Sequence, residues 1–335
     1  MAIDTNIYWK NTRVLVTGAG GFIGSHLTES LLQLGAQVRA LVHYNSRSDW
    51  GLLELIHPDL RGQLEVMAGD IIDPFCAFRA MADCEIVFHL AALIAIPYSY
   101  IAPANYVTVN CGGTLNLLEA ARQHRVRRFV HTSTSETYGT ARYTPIDEEH
   151  PLKGQSPYSA SKIGADKLAE SYFLSFGTPV STIRPFNTYG PRQSARAVIP
   201  TIISQGLSGN IIRLGSLTPL RDLNFVSDTV AGFLKVAESD AALGQVINVG
   251  SGKSVSIGQL AYMIITLLGG NKEIICEDQR VRPEASEVME LLCDYSKAKA
   301  LLDWEPMISL EEGLSRTIAF IRENLGQYKP YLYNV

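Results

Sequence analysis

The most informative stretch of this sequence is Val14-Leu-Val-Thr-Gly18-Ala-Gly-Gly21-Phe-Ile-Gly24. Its first four residues predict a short strand, and the glycines that follow predict a tight turn into a helix. Gly18 permits the turn, Gly21 lets the backbone approach a pyrophosphate, and Gly24 lets helix and strand pack closely. The helix N-terminus favours an anion. The spacing therefore predicts a dinucleotide site, the alternative being a tight turn without a ligand.

Short apolar runs alternate with helical stretches on either side of this turn. The predicted strands are Arg13–Val16, Gln37–Val42, Leu64–Ala68, Ile86–Leu90, Arg128–Thr132 and Val180–Arg184, and the clearest helices are Ile23–Leu34, Thr114–His124 and Tyr158–Phe176. Strands that alternate with helices predict right-handed βαβ units and a parallel sheet with helices on both faces.

The alternation becomes irregular after Pro185, which predicts a second, smaller part of the molecule. A strand at Val246–Val249 is expected to return to the main sheet, and Leu310–Leu325 to form a terminal helix. The predicted class is α/β, a Rossmann-type doubly wound parallel sheet with a smaller C-terminal α/β substrate domain. Residues 1–186, with about 225–252, would form the first domain, and residues 187–224 and 253–335 the second.

Composition narrows the class of protein. The chain has 335 residues, 46% hydrophobic and 19% charged, with a net charge of −4, which provides no general attraction to nucleic acid. No apolar run approaches the ~20 residues of a membrane helix, and the start of the chain lacks the apolar core of a signal peptide. Five cysteines without a CxxC pair suggest reduced thiols. We therefore expect a cytoplasmic protein with no membrane partner, no nucleic acid partner and no metal site.

The end of the second predicted strand bears on cofactor choice. The segment Leu41-Val-His-Tyr-Asn-Ser-Arg47 has no acidic residue to bind an adenosine ribose, whereas Arg47 and Ser46, with His43 as a further candidate, could hold a 2′-phosphate. NADP is therefore favoured over NAD; the alternative is NAD held by Asn45 and the backbone. Asp70 and Ile71 lie where a loop could contact the adenine, although Asp70 is also a typical turn residue.

Two further segments suggest catalysis. Thr134-Ser-Glu136 follows a predicted strand end, where α/β sheets bind ligands, and Tyr158 and Lys162 lie one helical turn apart. A lysine cation and a positive nicotinamide would favour the phenolate of Tyr158, which could then take a proton from a sugar hydroxyl oriented by Thr134. The alternative for Tyr158 and Lys162 is an ordinary pair on a helix surface.

Together these segments resemble the extended short-chain dehydrogenase/reductase family. The resemblance also rests on His89-Leu-Ala-Ala92, Arg184-Pro-Phe-Asn187-Thr-Tyr-Gly-Pro-Arg192 and Arg221-Asp-Leu-Asn-Phe-Val-Ser-Asp228. It implies a tightly bound NAD(P), a nucleotide-sugar substrate and a homodimer paired through the helices Thr114–His124 and Ser159–Phe176. It also assigns Phe22, Ile23, Leu90, Ala91, Ala92, Tyr158, Lys162 and Pro185 to the cofactor site. Arg221 and Arg282 match the family's phosphate contacts, with Asn187, Arg192 and Arg196 as weaker candidates. His89 and Asn110 are interpreted as orienting or packing residues and Asp228 as a helix cap.

Within this family the triplet Thr134-Ser135-Glu136 resembles that of 4,6-dehydratases, in which a carboxylate removes the C5 proton. Ser135 departs from their common Thr-Asp-Glu pattern, and Thr-Ser-Glu also resembles UDP-glucuronic acid decarboxylases. The prediction is a nucleotide-sugar 4,6-dehydratase acting on UDP-N-acetylglucosamine or a GDP-linked analogue. A decarboxylase or a 4-epimerase stays open. A non-catalytic NAD(P) sensor is disfavoured, because Thr134, Tyr158 and Lys162 are all present.

Overall fold

The computed structural model describes residues 5–281 and 283–332. Its strands are β1 (Arg13–Thr17), β2 (Gln37–His43), β3 (Glu65–Gly69), β4 (Ile86–His89), β5 (Arg128–Thr132), β6 (Val180–Pro185), β7 (Asn187–Tyr189), β8 (Ile211–Leu214), β9 (Leu220–Phe225), β10 (Val246–Val249), β11 (Ser254–Ser256), β12 (Glu273–Cys276) and β13 (Glu290–Leu291). Within the described residues the main sheet has seven parallel strands in the order β3-β2-β1-β4-β5-β6-β10. The strand order reverses between β1 and β4, where doubly wound sheets bind ligands.

Helices connect the strands. They are α1 (Thr5–Trp9), α2 (Phe22–Gln33), α3 (Pro58–Arg61), α4 (Pro74–Met81), α5 (Ile96–Ile101), α6 (Pro103–Tyr106), α7 (Gly113–His124), α8 (Pro157–Phe176), α9 (Val198–Ser208), α10 (Val226–Glu238), α11 (Ile257–Leu267), α12 (Ser296–Leu302) and α13 (Leu310–Glu323). A π-helical turn, Val107–Gly112, joins α6 to α7. Such turns are frequent at functional sites.

Apolar side chains cover both faces of the main sheet. Val14 and Val16 of β1 point into one core, which they share with residues of α2 and α10. Leu15, between them, points into a second core formed with residues of α4, α7 and α8. Successive side chains of a strand face opposite sides, so a strand buried on both faces is apolar throughout. The predicted doubly wound α/β fold is confirmed.

The irregular part after β6 forms smaller sheets. Strand β9 pairs with β7, β11 and β13, and β8 pairs with β12. Strand β10 returns to the main sheet beside β6, as predicted. The first core also contains Leu260 of α11 and Leu314 of α13, so the two parts of the chain share apolar packing. The proposed domain boundaries stay a prediction.

The prediction that Asp228 caps a helix is wrong. Asp228 lies inside the first turn of α10, whose N-cap residue is Phe225. Its carboxylate accepts hydrogen bonds from the N–H groups of Met307 (3.0 Å) and Ile308 (2.9 Å). Asp228 therefore ties α10 to the segment that precedes α13, and this partnership spans about eighty residues of chain.

Candidate active site

A cleft of about 1130 Å³ runs along the carboxyl ends of the main-sheet strands. The predicted site residues that line it are Gly18, Gly21, Phe22, Ile23, Gly24, Asn45, Arg47, Asp70, Ile71, Leu90, Ala91, Ala92, Thr134, Ser135, Glu136, Tyr158, Pro185, Asn187 and Arg221. Ser46, Lys162 and Arg192 are not among the lining residues, and Arg282 lies outside the described residues.

The glycine-rich turn lies at one end of the cleft. Gly18 has a φ of +69°, and a Cβ there would come within 2.7 Å of the Ala91 nitrogen, so both conformation and space require glycine. No side chain caps the N-terminus of α2 after Gly21. A Cβ on Gly21 would meet only the Gly18 carbonyl oxygen, at 3.2 Å. The turn therefore leaves the helix N-terminus open to the cleft, which suits the pyrophosphate of a dinucleotide.

The loop after β2 differs in part from the sequence prediction. The Asn45 side chain is used within the loop: its oxygen accepts from the N–H groups of Arg47 and Asp49, and its nitrogen donates to the Asp49 carbonyl oxygen. Asn45 therefore shapes the loop, whereas the Arg47 guanidinium is exposed at the cleft. Arg47 lies 3.6 Å from the carboxylate of Asp49.

Asp49 is a cleft residue that the sequence analysis missed. No acid ends β2, as the sequence indicates, but the loop brings Asp49 to the cleft. The Asp49 carboxylate accepts from the Gly51 N–H at 2.6 Å, and Leu52 donates to the Gly20 carbonyl oxygen at 2.9 Å. These bonds hold the loop against the glycine-rich turn. The sequence feature that could have indicated this is the triplet Asp-Trp-Gly at 49–51, which is typical of a turn.

Asp70 and Ile71 line the same end of the cleft. Asp70 accepts a hydrogen bond from the Ile72 N–H at 3.0 Å and lies 3.3 Å from the exposed His43 ring. Asp70 thus has the turn role that the sequence left open, and it also presents a carboxylate to the cleft.

An apolar wall, residues 93–97, was also missed. All five of its residues line the cleft. Asn110 accepts from the Leu93 N–H at 2.9 Å and donates to the Leu93 carbonyl oxygen at 3.0 Å. The Tyr106 hydroxyl donates to the Ala95 carbonyl oxygen at 2.5 Å. Asn110 and Tyr106 therefore position this wall, which agrees with the interpretation of Asn110 as a packing residue.

His89 has the packing role that the sequence suggested. Its Nδ1 lies 2.9 Å from the Thr17 hydroxyl, and its Nε2 lies 2.9 Å from the Thr114 hydroxyl. Burial lowers the pKa of His89 well below its usual range, and the positive charge of nearby Lys162 acts in the same direction. His89 is therefore a neutral ring that joins β1 and β4 to α7.

The triplet Thr134-Ser135-Glu136 lies where β5 ends. Thr134 precedes the 3₁₀ turn Ser135–Thr137, and its hydroxyl accepts from the Glu136 N–H at 3.2 Å. Burial raises the pKa of Tyr158 well above its usual range, and a hydrogen bond from Thr134 partly offsets that rise. The negative charge of Glu136 also raises the pKa of Tyr158. The structure thus brings Thr134, Glu136 and Tyr158, from two elements, to one point of the cleft.

Lys162 lies beneath the cleft, one helical turn from Tyr158 on α8. Its side chain is buried, and its ammonium donates to the Thr132 carbonyl oxygen at 2.6 Å. Burial lowers the pKa of Lys162, and the nearby carboxylate of Asp166 opposes that effect. The interpretation of Tyr158 and Lys162 as a surface pair is therefore wrong, because both side chains are buried.

The other end of the cleft carries arginines. Arg221 is 8% exposed and donates to Glu287 at 2.9 Å. Arg213 and Arg280 line the cleft there as well, and both contact Glu277. These guanidinium groups are oriented by glutamates, an arrangement suited to a diphosphate.

Of the weaker substrate candidates, Asn187 and Arg196 line the cleft and Arg192 does not. The side-chain oxygen of Asn187 is buried without a hydrogen-bond partner among the described residues. Arg192 instead donates to Glu29 of α2 at 2.7 Å. The structure thus does not place Arg192 as a substrate contact, because its charge is used to join the two parts of the chain.

None of the helices in the described residues combines the length and the apolar character that a membrane span requires. The same residues contain no group of three or more His, Cys, Asp or Glu side chains arranged to hold a metal ion.

Comparisons with known proteins agree with this geometry. The family model for GDP-mannose 4,6 dehydratase matches residues 15–317. A UDP-glucose 4-epimerase of Mycolicibacterium smegmatis is 35% identical, over 92% of this chain and 98% of its own. A dTDP-glucose 4,6-dehydratase of an Actinoplanes species is 32% identical, over 93% and 98%. The solved structure of DesIV, a dTDP-glucose 4,6-dehydratase from Streptomyces venezuelae with NAD bound, has a TM-score of 0.83 and 29% identity, over 95% and 99%. This chain belongs to the GDP-mannose 4,6-dehydratase family of nucleotide-sugar dehydratases and epimerases.

Proposed function

We propose that this protein is an NADP-dependent nucleotide-sugar 4,6-dehydratase acting on UDP-N-acetylglucosamine or a GDP-linked analogue. The observation that carries the proposal is the placement of the Glu136 carboxylate in the cleft with Thr134 and Tyr158. Oxidation at C4 needs a base for the hydroxyl proton, and elimination needs a second base for the C5 proton. Tyr158 and Glu136 supply these two groups.

The residues divide the reaction between them. Tyr158 takes the proton of the C4 hydroxyl, which Thr134 orients by a hydrogen bond. When bound, a nicotinamide cofactor would supply the hydride acceptor for C4 and the hydride donor for C6. The 4-ketone acidifies the C5 proton, which Glu136 removes, and the C6 hydroxyl leaves as water with a proton from Glu136. Reduction of the resulting 5,6-alkene at C6 is completed by a solvent-derived proton at C5. The product is a 4-keto-6-deoxy sugar, whose formula is that of the substrate less one water.

Two features of the cleft support the substrate. The arginine end, with Arg213, Arg221 and Arg280, would bind the two negative charges of a diphosphate. The apolar wall 93–97 carries no charged side chain, so it can contact an N-acetyl methyl group and provides no cation for a uronic acid carboxylate. We therefore favour an acetamido sugar over UDP-glucuronic acid.

The test is NMR of the purified protein with UDP-N-acetylglucosamine in deuterated water. We expect a 4-keto-6-deoxy product with deuterium at C5. Glu136→Gln should keep C4 oxidation, measured by reduced-cofactor absorbance, and lose C5 exchange. Glu149→Gln, a change of an exposed acid in a nearby loop, is the matched control and should behave as the wild type. C5 exchange retained in Glu136→Gln would contradict the role of Glu136.

The second candidate is a 4-epimerase, favoured by the 35% identity to a UDP-glucose 4-epimerase. Ser135, which replaces the aspartate common in dehydratases, also leaves the decarboxylase alternative open. UDP-glucose converted to UDP-galactose without loss of water would establish the epimerase. Carbon dioxide released from UDP-glucuronic acid would establish the decarboxylase.

The preference for NADP rests on the loop after β2, where Arg47 lines the cleft and no acid ends the strand. Arg47→Ala should weaken NADP binding about tenfold or more, because a charge-assisted bond is worth ~1.5–3 kcal/mol, and should leave NAD binding unchanged. Asp49→Asn is the matched variant and should strengthen NADP binding, because it removes a carboxylate beside Arg47. Calorimetric titration measures both. Equal losses for NAD and NADP in Arg47→Ala would contradict this preference.

We also propose a homodimer paired through α7 and α8. These helices pack side by side, with the Tyr172 hydroxyl donating to Glu119 at 3.1 Å. They leave Leu115, Leu174 and Phe176 41%, 73% and 57% exposed. Light scattering at working concentration should give twice the chain mass of 36.8 kDa, and a monomer would refute the proposal.

A further inference from the structure

A buried ion pair lies directly behind the catalytic triplet. Asp166 of α8 and Arg184 of β6 are 5% and 3% exposed, and an Arg184 nitrogen donates to the Asp166 carboxylate at 2.8 Å. Burial by itself would raise the pKa of Asp166. Arg184 and hydrogen bonds from His131 and Ser133 outweigh burial and hold that pKa below its usual range. The carboxylate therefore stays charged, although the proposed reaction uses neither member of the pair.

The pair contacts the residues on both sides of the triplet. Ser133 precedes Thr134, and its hydroxyl donates to Asp166 at 2.6 Å and accepts from Arg184 at 3.2 Å. Tyr138 follows the 3₁₀ turn, and its hydroxyl accepts from Arg184 at 2.8 Å. The Arg184 guanidinium also lies 4.7 Å from the centre of the Tyr138 ring. One guanidinium group therefore holds both ends of the segment that carries Thr134 and Glu136.

One member of the pair, Asp166, lies on α8, the helix that also carries Tyr158. Asp166 lies one helical turn after Lys162 and two turns after Tyr158, so these side chains share one face of α8. His131 of β5 also contacts the Asp166 carboxylate, at 3.0 Å. The ion pair thus connects the end of β5, strand β6 and α8, the elements that must keep a common register for Thr134 to reach Tyr158.

We propose that the Asp166–Arg184 pair is a positioning device, which acts through Ser133 and Tyr138 to hold Thr134 against Tyr158. The role rests on the proposed function only as far as C4 oxidation, the step shared by dehydratases, epimerases and decarboxylases of this kind. A planar guanidinium that donates in several directions fixes geometry in a way that a lysine does not. Reacting groups displaced by about 1 Å lose up to ~100-fold in rate, so small movements of this segment have large effects.

The test uses variants that cut the connections and leave the ion pair in place. Ser133→Ala and Tyr138→Phe each remove one hydroxyl. Ser181→Ala is the matched control, because Ser181 is a buried serine of β6 whose hydroxyl has no partner among the described residues. Asp166→Asn breaks the pair itself and is the more severe change. If the Asp166→Asn protein does not fold, the two hydroxyl variants still test the proposal.

The measurement is single-turnover formation of reduced cofactor with UDP-N-acetylglucosamine, dTDP-glucose and UDP-glucuronic acid. We expect Tyr138→Phe and Ser133→Ala to slow C4 oxidation about ten- to a hundredfold, with the KM within about twofold of the wild type. Ser181→Ala should match the wild type. In a Thr134→Val background the same two changes should have little further effect, because the group that they position is gone.

The two possible failures are distinguishable. The positioning role would be overturned if Tyr138→Phe and Ser133→Ala oxidised C4 at the wild-type rate. It would also be overturned if their losses, as activation free energies, simply added to the loss in Thr134→Val. A wild-type protein that oxidises none of the three sugars would overturn the proposed function instead.

Discussion

Two glycines at the start of α2, Gly21 at its N-cap and Gly24 in its first turn, should respond differently to substitution by alanine. In Gly24→Ala the new Cβ would lie 2.2 Å from the Gly18 carbonyl oxygen, 2.9 Å from the Gly18 carbonyl carbon and 3.0 Å from the Ala19 Cα. Ordinary carbon contacts are about 3.5–4.0 Å. All three atoms belong to the backbone, so α2 itself must move away from β1.

The size of the effect follows from the packing. Overpacking of this kind costs about 2–3 kcal/mol. Unfolding entropy is ~2.1 cal/mol/K per residue, which gives ~0.7 kcal/mol/K for a chain of 335 residues. The free energy of unfolding near Tm therefore changes by ~0.7 kcal/mol for each degree, so Tm should fall by about 3–4 °C. Gly21→Ala meets only the Gly18 oxygen, at 3.2 Å, and has an ordinary φ of −83°. Its Tm should therefore hardly change.

Relative to the stability that each substitution costs, Gly21→Ala should weaken cofactor binding more than Gly24→Ala does. The methyl group of Gly21→Ala would stand where the backbone approaches the pyrophosphate, so affinity should fall about tenfold or more, the equivalent of ~1.4 kcal/mol. Differential scanning calorimetry of the protein and calorimetric titration with NADP and NAD measure the two quantities. An unchanged Tm in Gly24→Ala, or cofactor affinity equal to the wild type in Gly21→Ala, would refute the reasoning.

Three further predictions follow from particular contacts. Tyr158→Phe should reduce C4 oxidation about 10²–10⁴-fold in single-turnover absorbance; a rate near that of the wild type would exclude Tyr158 as the base. Arg221→Gln in a Glu287→Gln background should weaken UDP binding about 10–100-fold in calorimetric titration relative to Glu287→Gln alone, and equal affinities would place the diphosphate elsewhere. Burial lowers the pKa of His26 from 6.5 to about 4. Neutral His26 therefore supports the fold fully above pH 6.5, and this contribution of ~3 kcal/mol is lost as the pH falls towards 4. Denaturant unfolding of His26→Gln should show a weaker pH dependence over that window, and a pH dependence equal to the wild type would refute the assignment.

The features that could be predicted from the sequence are those set by neighbours along the chain. The strand–turn–helix at 14–24 follows from apolar spacing and from glycines at adjacent positions. Tyr158 and Lys162 share a helix face because four residues make about one turn. The strand and helix pattern up to β6 follows in the same way, and it determines the doubly wound sheet together with the edge where ligands bind.

Tertiary structure decided which side chains meet. Arg192 contacts Glu29 across 163 positions and is thereby removed from the cleft, and Asp228 accepts hydrogen bonds from the distant N–H groups of Met307 and Ile308 instead of capping its own helix. Asp49 reaches the cleft because its loop is bound to the glycine-rich turn. The pairing of Asp166 with Arg184 behind Thr134 requires α8, β5 and β6 to pack together. Local spacing encodes backbone conformation, whereas the partner of a buried charge depends on which elements the shared apolar cores bring into contact, and no short stretch of chain contains that information.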